Sequence, residues 1–431
     1  MAARERNELL AGHLREAGLS YAALARKVDV VGAQAGHLWS YDRSSVARWV
    51  SGVVPSRLVG DVVAQVLSER LGRLLTAGDI GLAAAEVPPS PTRPVEEGLV
   101  WLGRAEGDPA RRDLLLGQPY WPQRPLEGPV PPPAARLERR ATAGDLTAVR
   151  AQRQHFYELF ERQGSGPVRS ALRTFIMDDV LRYLLSRASD DWSRRMRAEA
   201  AQVVHLLGLA TFDAGHSGLA NRYYESALLL ARQGGAPLAE SIVLRTLGNH
   251  ARQVGQLPAA ERFFARASTC APGHAVRGFV LTGRAAVYAA DGDGARAARC
   301  LEQAETCLAD AAQATDPYER YDLAAVQYQR AVVLHLLGRN AEAVEAARVS
   351  VRLREKEHRR PLALSLVMLT DLQMRIGHLD AATDSWRRAV AAADHVDSPR
   401  LRELLRDTAR RMAAHTRHSG MRGAVELFNR S

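Results

Sequence analysis

A chain of 431 residues, 46% hydrophobic and 25% charged, can bury a substantial core in two or three domains, which excludes disorder over its full length. No stretch reaches the roughly 18 apolar residues of a membrane span, and the N-terminal MAARERNELLAGHLREAG lacks the unbroken apolar run of a secretion signal, so a cytoplasmic protein is expected. A net charge of +10 favours a polyanionic partner through counterion release, although the positive charge is almost all arginine, with only Lys27 and Lys356 as lysines, a bias that genome composition also produces.

The first 82 residues read as four short helices. One covers 5–17; Ser20 is an N-cap for a second, YAALARKV (21–28); a third begins at Asp42 and stops at Gly52; a fourth follows Pro55 through VVAQVLSERLG. Between the second and third lies a long connection, VDVVGAQAGHLWSYD, which leaves these two helices either splayed or braced by Trp39 and Tyr41.

Residues 83–135 are dense in proline (Pro88, Pro89, Pro91, Pro94, Pro119, Pro122, Pro125, Pro129 and Pro131 to Pro133), which removes backbone donors and blocks continuous helix. This segment reads as a linker in which Leu99, Trp101, Leu102 and Leu114 to Leu116 could form a short docked helix pair.

From 136 to 420 the apolar spacing is again helical, and the segment repeats. HLLGLATFDAGHSGLANRYYESA (205–227) aligns with RTLGNHARQVGQLPAAERFFARA (245–267), with Leu207-Gly208 over Leu247-Gly248, Gly215 over Gly255, Ala220 over Ala260, Tyr224 over Phe264 and Ala227 over Ala267. Three further units are anchored by Gly292 (Ala297, Leu301, Ala304), Gly338 (Ala343, Ala347) and Gly377 (Ala382, Trp386, Ala389), at a period of 37 to 46 residues. In a helix hairpin, the glycine ends the first helix, small alanines let the second approach, and the aromatic fills the gap. Residues 146–190 read as a leading helix pair and LRELLRDTARRMAAH (401–415) as a cap whose polar face closes an open end. The fold class is all-α.

These units resemble tetratricopeptide repeats, the third and fourth departing most because they lack the Leu-Gly pair and the aromatic. LSYAALARKV, SSVARWVSGVVPSRL and VAQVLSERLGRLLTAGDIGL, continuing into DAGHSGLANRYYESALLLAR (213–232), resemble actinobacterial regulators that join a lambda-repressor-type helix-turn-helix to such repeats. The resemblance implies an N-terminal helix-turn-helix domain plus a C-terminal tetratricopeptide-type α-solenoid. It implies transcriptional regulation of secondary metabolism or development, a palindromic operator in double-stranded DNA, and a homodimer. In that fold the third helix meets base edges, making Arg43, Ser44, Ser45 and Arg48 the base-facing candidates, with Lys27 and Arg57 on phosphates. Tyr21 departs from the pattern, standing where many relatives place a glutamine that holds a phosphate.

The first helix of each tetratricopeptide hairpin lines a concave groove. Taking Gly248 as the family's repeat glycine puts Arg245, Asn249 and Arg252 there, a trio able to hold a carboxylate or a peptide backbone. Corresponding positions give Gln202, His205, Tyr328 and Asp371. The resemblance implies a peptide, small-molecule or protein ligand in this groove; the same arginines could also simply solvate it or pair with acids.

Catalysis and cofactors are not expected. The sequence has no HExxH, no phosphate-binding glycine loop and no GxSxG elbow. His415 and His418 have metal-like spacing but lack a third ligand nearby, Asp178-Asp179 and Asp190-Asp191 read as helix starts and turns, and Cys270, Cys300 and Cys307 as small reduced hydrophobes. The alternative to a regulator is a repeat scaffold that works through protein contacts without touching DNA.

Overall fold

Every regular element is helical in the computed structural model, which describes residues 6–34, 39–71, 75, 77–82, 94–108, 112, 115–117, 141–309, 323–415 and 418–430. The chain forms two compact units. The first comprises Met1–Trp121 with Pro131–Ala134 and His216–Leu219, and the second Pro122–Val130, Ala135–Gly215 and Ala220–Ser431.

The first unit contains α1 (Glu8–Glu16), α2 (Tyr21–Gln34), α3 (Arg43–Val50), α4 (Arg57–Leu71) and α5 (Val95–Gly107). The first four share a core of Leu10, Leu14, Leu24, Val28, Val46, Trp49, Val62 and Leu67. Asn7 starts α1 by accepting from Leu10 N–H, and its amide nitrogen donates to the carbonyls of Ile80 and Gly81, tying the start of the unit to residues more than seventy positions on. The second helix differs from its expected extent: it continues past Val28 to Gln34, because Val28 and Val31 keep the apolar face in register with the core. In α5, Leu99 and Leu102 are buried, and Leu115 is buried further on; Leu114 and every proline named above except Pro94 lie outside the described residues.

The second unit opens with α6 (Ala143–Gln163) and α7 (Gly166–Phe175), the latter continuing through a π-helical turn, Ile176–Val180, into α8 (Leu181–Leu184). Hairpins follow: α9 (Asp190–Asp213) with α10 (Ser217–Gln233), α11 (Pro237–Gln253) with α12 (Leu257–Cys270), α13 (Gly273–Ala290) with α14 (Gly294–Ala309), α15 (Leu323–Leu336) with α16 (Asn340–Leu353), and α17 (Arg359–Arg375) with α18 (Leu379–Ala393). The five repeat glycines, Gly215, Gly255, Gly292, Gly338 and Gly377, all stand at the hairpin turns with φ between 75° and 92°. That left-handed conformation lets the chain reverse while the residue after the glycine bonds back to the helix, as Gln256 N–H does to the Ala251 carbonyl at 2.8 Å.

Aromatic side chains fill the hairpins where the repeat placed them. Phe264 lies so close to Gly248 and Gly283 that a Cβ on either would approach its ring to 2.7 Å and 2.3 Å. Tyr224 meets Gly208 in the same way, at 2.5 Å. The hairpin of α13 and α14 has no such ring and packs instead on Leu281, Ala285, Ala286, Ala289, Cys300 and Leu301.

The C-terminal end differs from an open, capped solenoid. The expected helix is present as α19 (Pro399–Ala413), but a further helix, α20 (Ser419–Arg430), pairs with it, and Phe428 stacks edge-on against Trp386 at 5.1 Å. More consequentially, this end meets the leading hairpin. Asp397 N–H donates to the Gln163 carbonyl at 2.8 Å, Gly166 N–H to the Asp397 carbonyl at 3.0 Å, and α6 packs against α17. Arg360 lies over the Phe160 ring and ion-pairs with Asp213 at 2.9 Å. The array closes on itself within its own unit, so its last helices pack against protein where an open solenoid would face solvent.

Candidate functional site

The short helix α3 is set by Asp42, whose carboxylate accepts from Ser45 N–H at 2.9 Å and from the hydroxyls of Ser44 and Ser45 at 2.7 and 2.9 Å. Those hydrogen bonds hold Asp42 at about 2, below the ordinary carboxylate range. At the other end Gly52 takes a left-handed φ of 94° and Val53 N–H closes on the Arg48 carbonyl. One face of α3, formed by Val46, Trp49 and Val50, is buried; Arg43, Ser44, Ala47 and Arg48 form the exposed face.

The expected base-facing set therefore divides. Arg43, Ser44 and Arg48 stand together on the exposed face, and Lys27 is exposed on α2. Ser45 does not join them: it is 6% exposed and its hydroxyl is spent on Asp42, because its position falls on the side of α3 turned toward the core. The Arg57 side chain lies outside the described residues.

Of the two possibilities for the long connection between α2 and α3, bracing is what the structure has. Trp39 packs on Gly32, where a Cβ would come within 2.4 Å of the indole. Trp39, Tyr41 and Trp49 form a chain of rings with centroids 5.9 and 5.2 Å apart, and the Asp29 carboxylate accepts from Tyr41 N–H at 2.9 and 3.1 Å. The intervening residues 35–38 lie outside the described residues.

In the second unit, Arg245, Asn249 and Arg252 share one face of α11, as their spacing expects. Arg245 stacks its guanidinium over the Phe279 ring of α13 at 3.4 Å. Asn249 and Arg252 are half-buried, and neither Asn249 Oδ1 nor Arg252 Nε meets a hydrogen-bond partner among the described residues. Burial pushes the Arg252 guanidinium below its usual range, Tyr328 opposes the fall and Arg400 adds to it, which places Tyr328 and Arg400 in the same neighbourhood.

The other expected groove residues fare differently. His205 is 3% exposed and its Nε2 lies 3.0 Å from Thr246 Oγ1 between α9 and α11; burial, with Arg245 adding, lowers it to about 3, so it is a neutral packing group and not a groove-lining one. Gln202 is also buried, at 9%. Asp371 is taken by Arg411 of α19, at 2.6 and 3.1 Å, leaving no free carboxylate for a ligand. Spacing along one helix does not report what α19 and α11 bring against these residues.

Sequence reasoning missed Arg400. It precedes the expected capping segment 401–415 and lies over the Phe212 ring of α9 at 4.3 Å, reaching Gln253 Oε1 of α11 at 3.4 Å. No local signal reports such a contact, which depends on the closure of the array.

Several of the remaining chemistry-bearing candidates have structural partners. His418 accepts from Met421 N–H at 3.2 Å at the start of α20 and faces Asp380, Asp179 pairs with Arg182, and Asp191 lies near Arg194 and Arg195. Among the described residues no group of three His, Cys, Asp or Glu side chains is placed to hold a metal ion, and no helix is long and apolar enough to cross a membrane.

Against known proteins, the family model of the SP15 N-terminal domain matches residues 10–83, which span α1 to α4 and the turn after them. No curated protein matches the chain.

Proposed function

We propose that the protein is a sequence-specific DNA-binding transcriptional regulator, of secondary metabolism or development, in which α2 and α3 act as a helix-turn-helix and the hairpin array acts as a tetratricopeptide-type sensor of a peptide, small molecule or protein. The observation that carries this reading is the exposed face of α3, where Arg43, Ser44 and Arg48 stand together while the opposite face is locked into the core. A helix so held can enter a major groove without rearranging, and Arg48 is the residue suited to bidentate contact with guanine. Lys27 on α2 is exposed, which suits a phosphate contact. A homodimer on a palindromic operator follows from the two-fold geometry such modules use.

The test is selection of the purified full-length chain against random DNA duplexes, with Arg43→Ala and Arg48→Ala combined as the control. Enrichment of a palindrome that the double variant loses supports the reading. Failure to enrich any sequence at low salt, in a folded dimeric sample, points to the second reading, a repeat scaffold acting through protein contacts. The observation favouring that alternative is Asp42, an ionised carboxylate at the N-terminal end of α3, where an incoming phosphate would be repelled.

A further inference from the structure

The second unit brings two arginines into one neighbourhood. Arg252 comes from α11 and Arg400 from α19, and Arg400 reaches the side chain of Gln253, the neighbour of Arg252. Tyr328 of α15 acts electrostatically on both guanidiniums, and Phe212 of α9 supplies a flat apolar support under Arg400. Four helices thus converge on one spot. Arg252 Nε and Asn249 Oδ1 are buried without a hydrogen-bond partner among the described residues. Asp213, which favours the charged form of Arg400, is shared with Arg360, the Ser398 hydroxyl and Ser165 N–H. Burial lowers both arginines; the Arg400 charge adds to the fall at Arg252, and Arg360 adds to it at Arg400 while Tyr328 and Asp213 oppose it there.

We infer that Arg252 and Arg400, with Tyr328 and the amide of Asn249, form a binding site for a dianionic phosphate group, carried on a small phosphate monoester or as the free ion. The chemistry follows from the donors: two guanidiniums present planar forks that suit tetrahedral oxyanions. The tyrosine hydroxyl and the Asn249 amide NH2 add neutral donors, and a half-buried position strengthens each bond relative to water. The proposal rests on the reading of this face as a ligand groove and names its ligand's chemistry. It also gives the closure of the array a role, since Arg400 arrives only because α19 folds back on α9 and α11.

The test is calorimetric titration of the full-length chain with inorganic phosphate, glycerol phosphate and, at matched ionic strength, acetate, for the native sequence, Arg252→Gln, Arg400→Gln and the Arg43→Ala/Arg48→Ala variant. Phosphate or its ester should bind the native chain and the last variant alike, and each glutamine substitution should weaken binding about tenfold or more, the loss of one charge-assisted contact. Tighter binding of glycerol phosphate identifies an ester as the ligand, and tighter binding of the free ion identifies phosphate itself; either supports the site. Without added anion, both glutamine variants should melt at or above the native temperature at low salt, because each relieves repulsion. Acetate binding equal to phosphate, binding unchanged in the glutamine variants, or no phosphate binding at all overturns the proposal, and so does a clear drop in melting temperature in both variants. If DNA selection fails while phosphate binds, the regulator reading falls and this site stands; if selection succeeds and phosphate does not bind, the reverse holds.

Discussion

Asp213 and Arg360 lie 147 residues apart and meet at 2.9 Å, with the Ser398 hydroxyl donating to the same carboxylate oxygen at 2.9 Å. Asp213 ends α9, Arg360 opens α17, and Ser398 caps α19. One carboxylate therefore gathers the start and the finish of the repeat array. It is 1% exposed and Arg360 13%, so this is a buried pair with its lone pairs satisfied, where Coulomb attraction is weakly screened.

Arg360→Ala should destabilise the second unit by about 3–5 kcal/mol, the cost of leaving a buried charge without its partner. Urea unfolding followed by circular dichroism measures it. A loss under about 1 kcal/mol, the scale of an exposed pair, would show that the closure does not hold in solution.

Gly283→Ala should cost about 1–3 kcal/mol through overpacking, because the added Cβ would come within 2.3 Å of the Phe264 ring, itself held by Gly248 on the other side. Gly12→Ala is the contrasting change: nothing lies within 4 Å of its Cβ, and α1 should gain up to about 1 kcal/mol from the better helix former. Thermal melts of the two variants should shift in opposite directions.

Acidification should destabilise the second unit through two buried histidines, an effect partly offset by Glu225, which burial raises to about 7 so that the folded state takes up a proton before the unfolded chain does. His205 and His250 are both lowered to about 3, by burial first, with Arg245 adding at His205 and Arg400 and His205 adding at His250. In the unfolded chain each titrates near 6.5. Below that value the unfolded state binds protons that the native state refuses, so stability is intact above about pH 6.5 and falls as pH drops toward 3. Between pH 7 and pH 5 the loss should approach 2 kcal/mol per histidine, about 1.4 kcal/mol for each pH unit once titration begins. Urea midpoints at stepped pH would show it, and flat stability down to pH 5 would contradict it.

Trp39→Ala should loosen α3 without touching it. The indole packs on Gly32 and starts the ring chain through Tyr41 to Trp49, so its loss removes about 1–3 kcal/mol of local packing. Hydrogen–deuterium exchange in the full-length chain should quicken at the α3 amides and leave α11 to α18 unchanged. Protection of α3 equal to the native level would mean the brace is not what holds it.

Much of this architecture was legible before any coordinates. The all-α class, the hairpin period and the five turn glycines follow from local rules, since apolar spacing sets a helix face and a left-handed turn selects glycine. Asp42 as the cap of α3 was legible for the same reason. The N-terminal match to the SP15 domain model covers the first four helices and the turn after them.

What the tertiary structure alone decided is which polar groups are left for function. Ser45 and Arg43 both sit in the first turn of α3, yet the core takes one and leaves the other exposed. Asp371 was expected in the groove but is taken by Arg411 of α19, and Arg400 is set over Phe212 by the closing of the array. Local preference operates over a few residues and can be read from their order. The partners of Asp213, Asp371 and Arg400 lie 40 to 185 residues away or across several helices, and only the summed curvature of the hairpins brings them within reach.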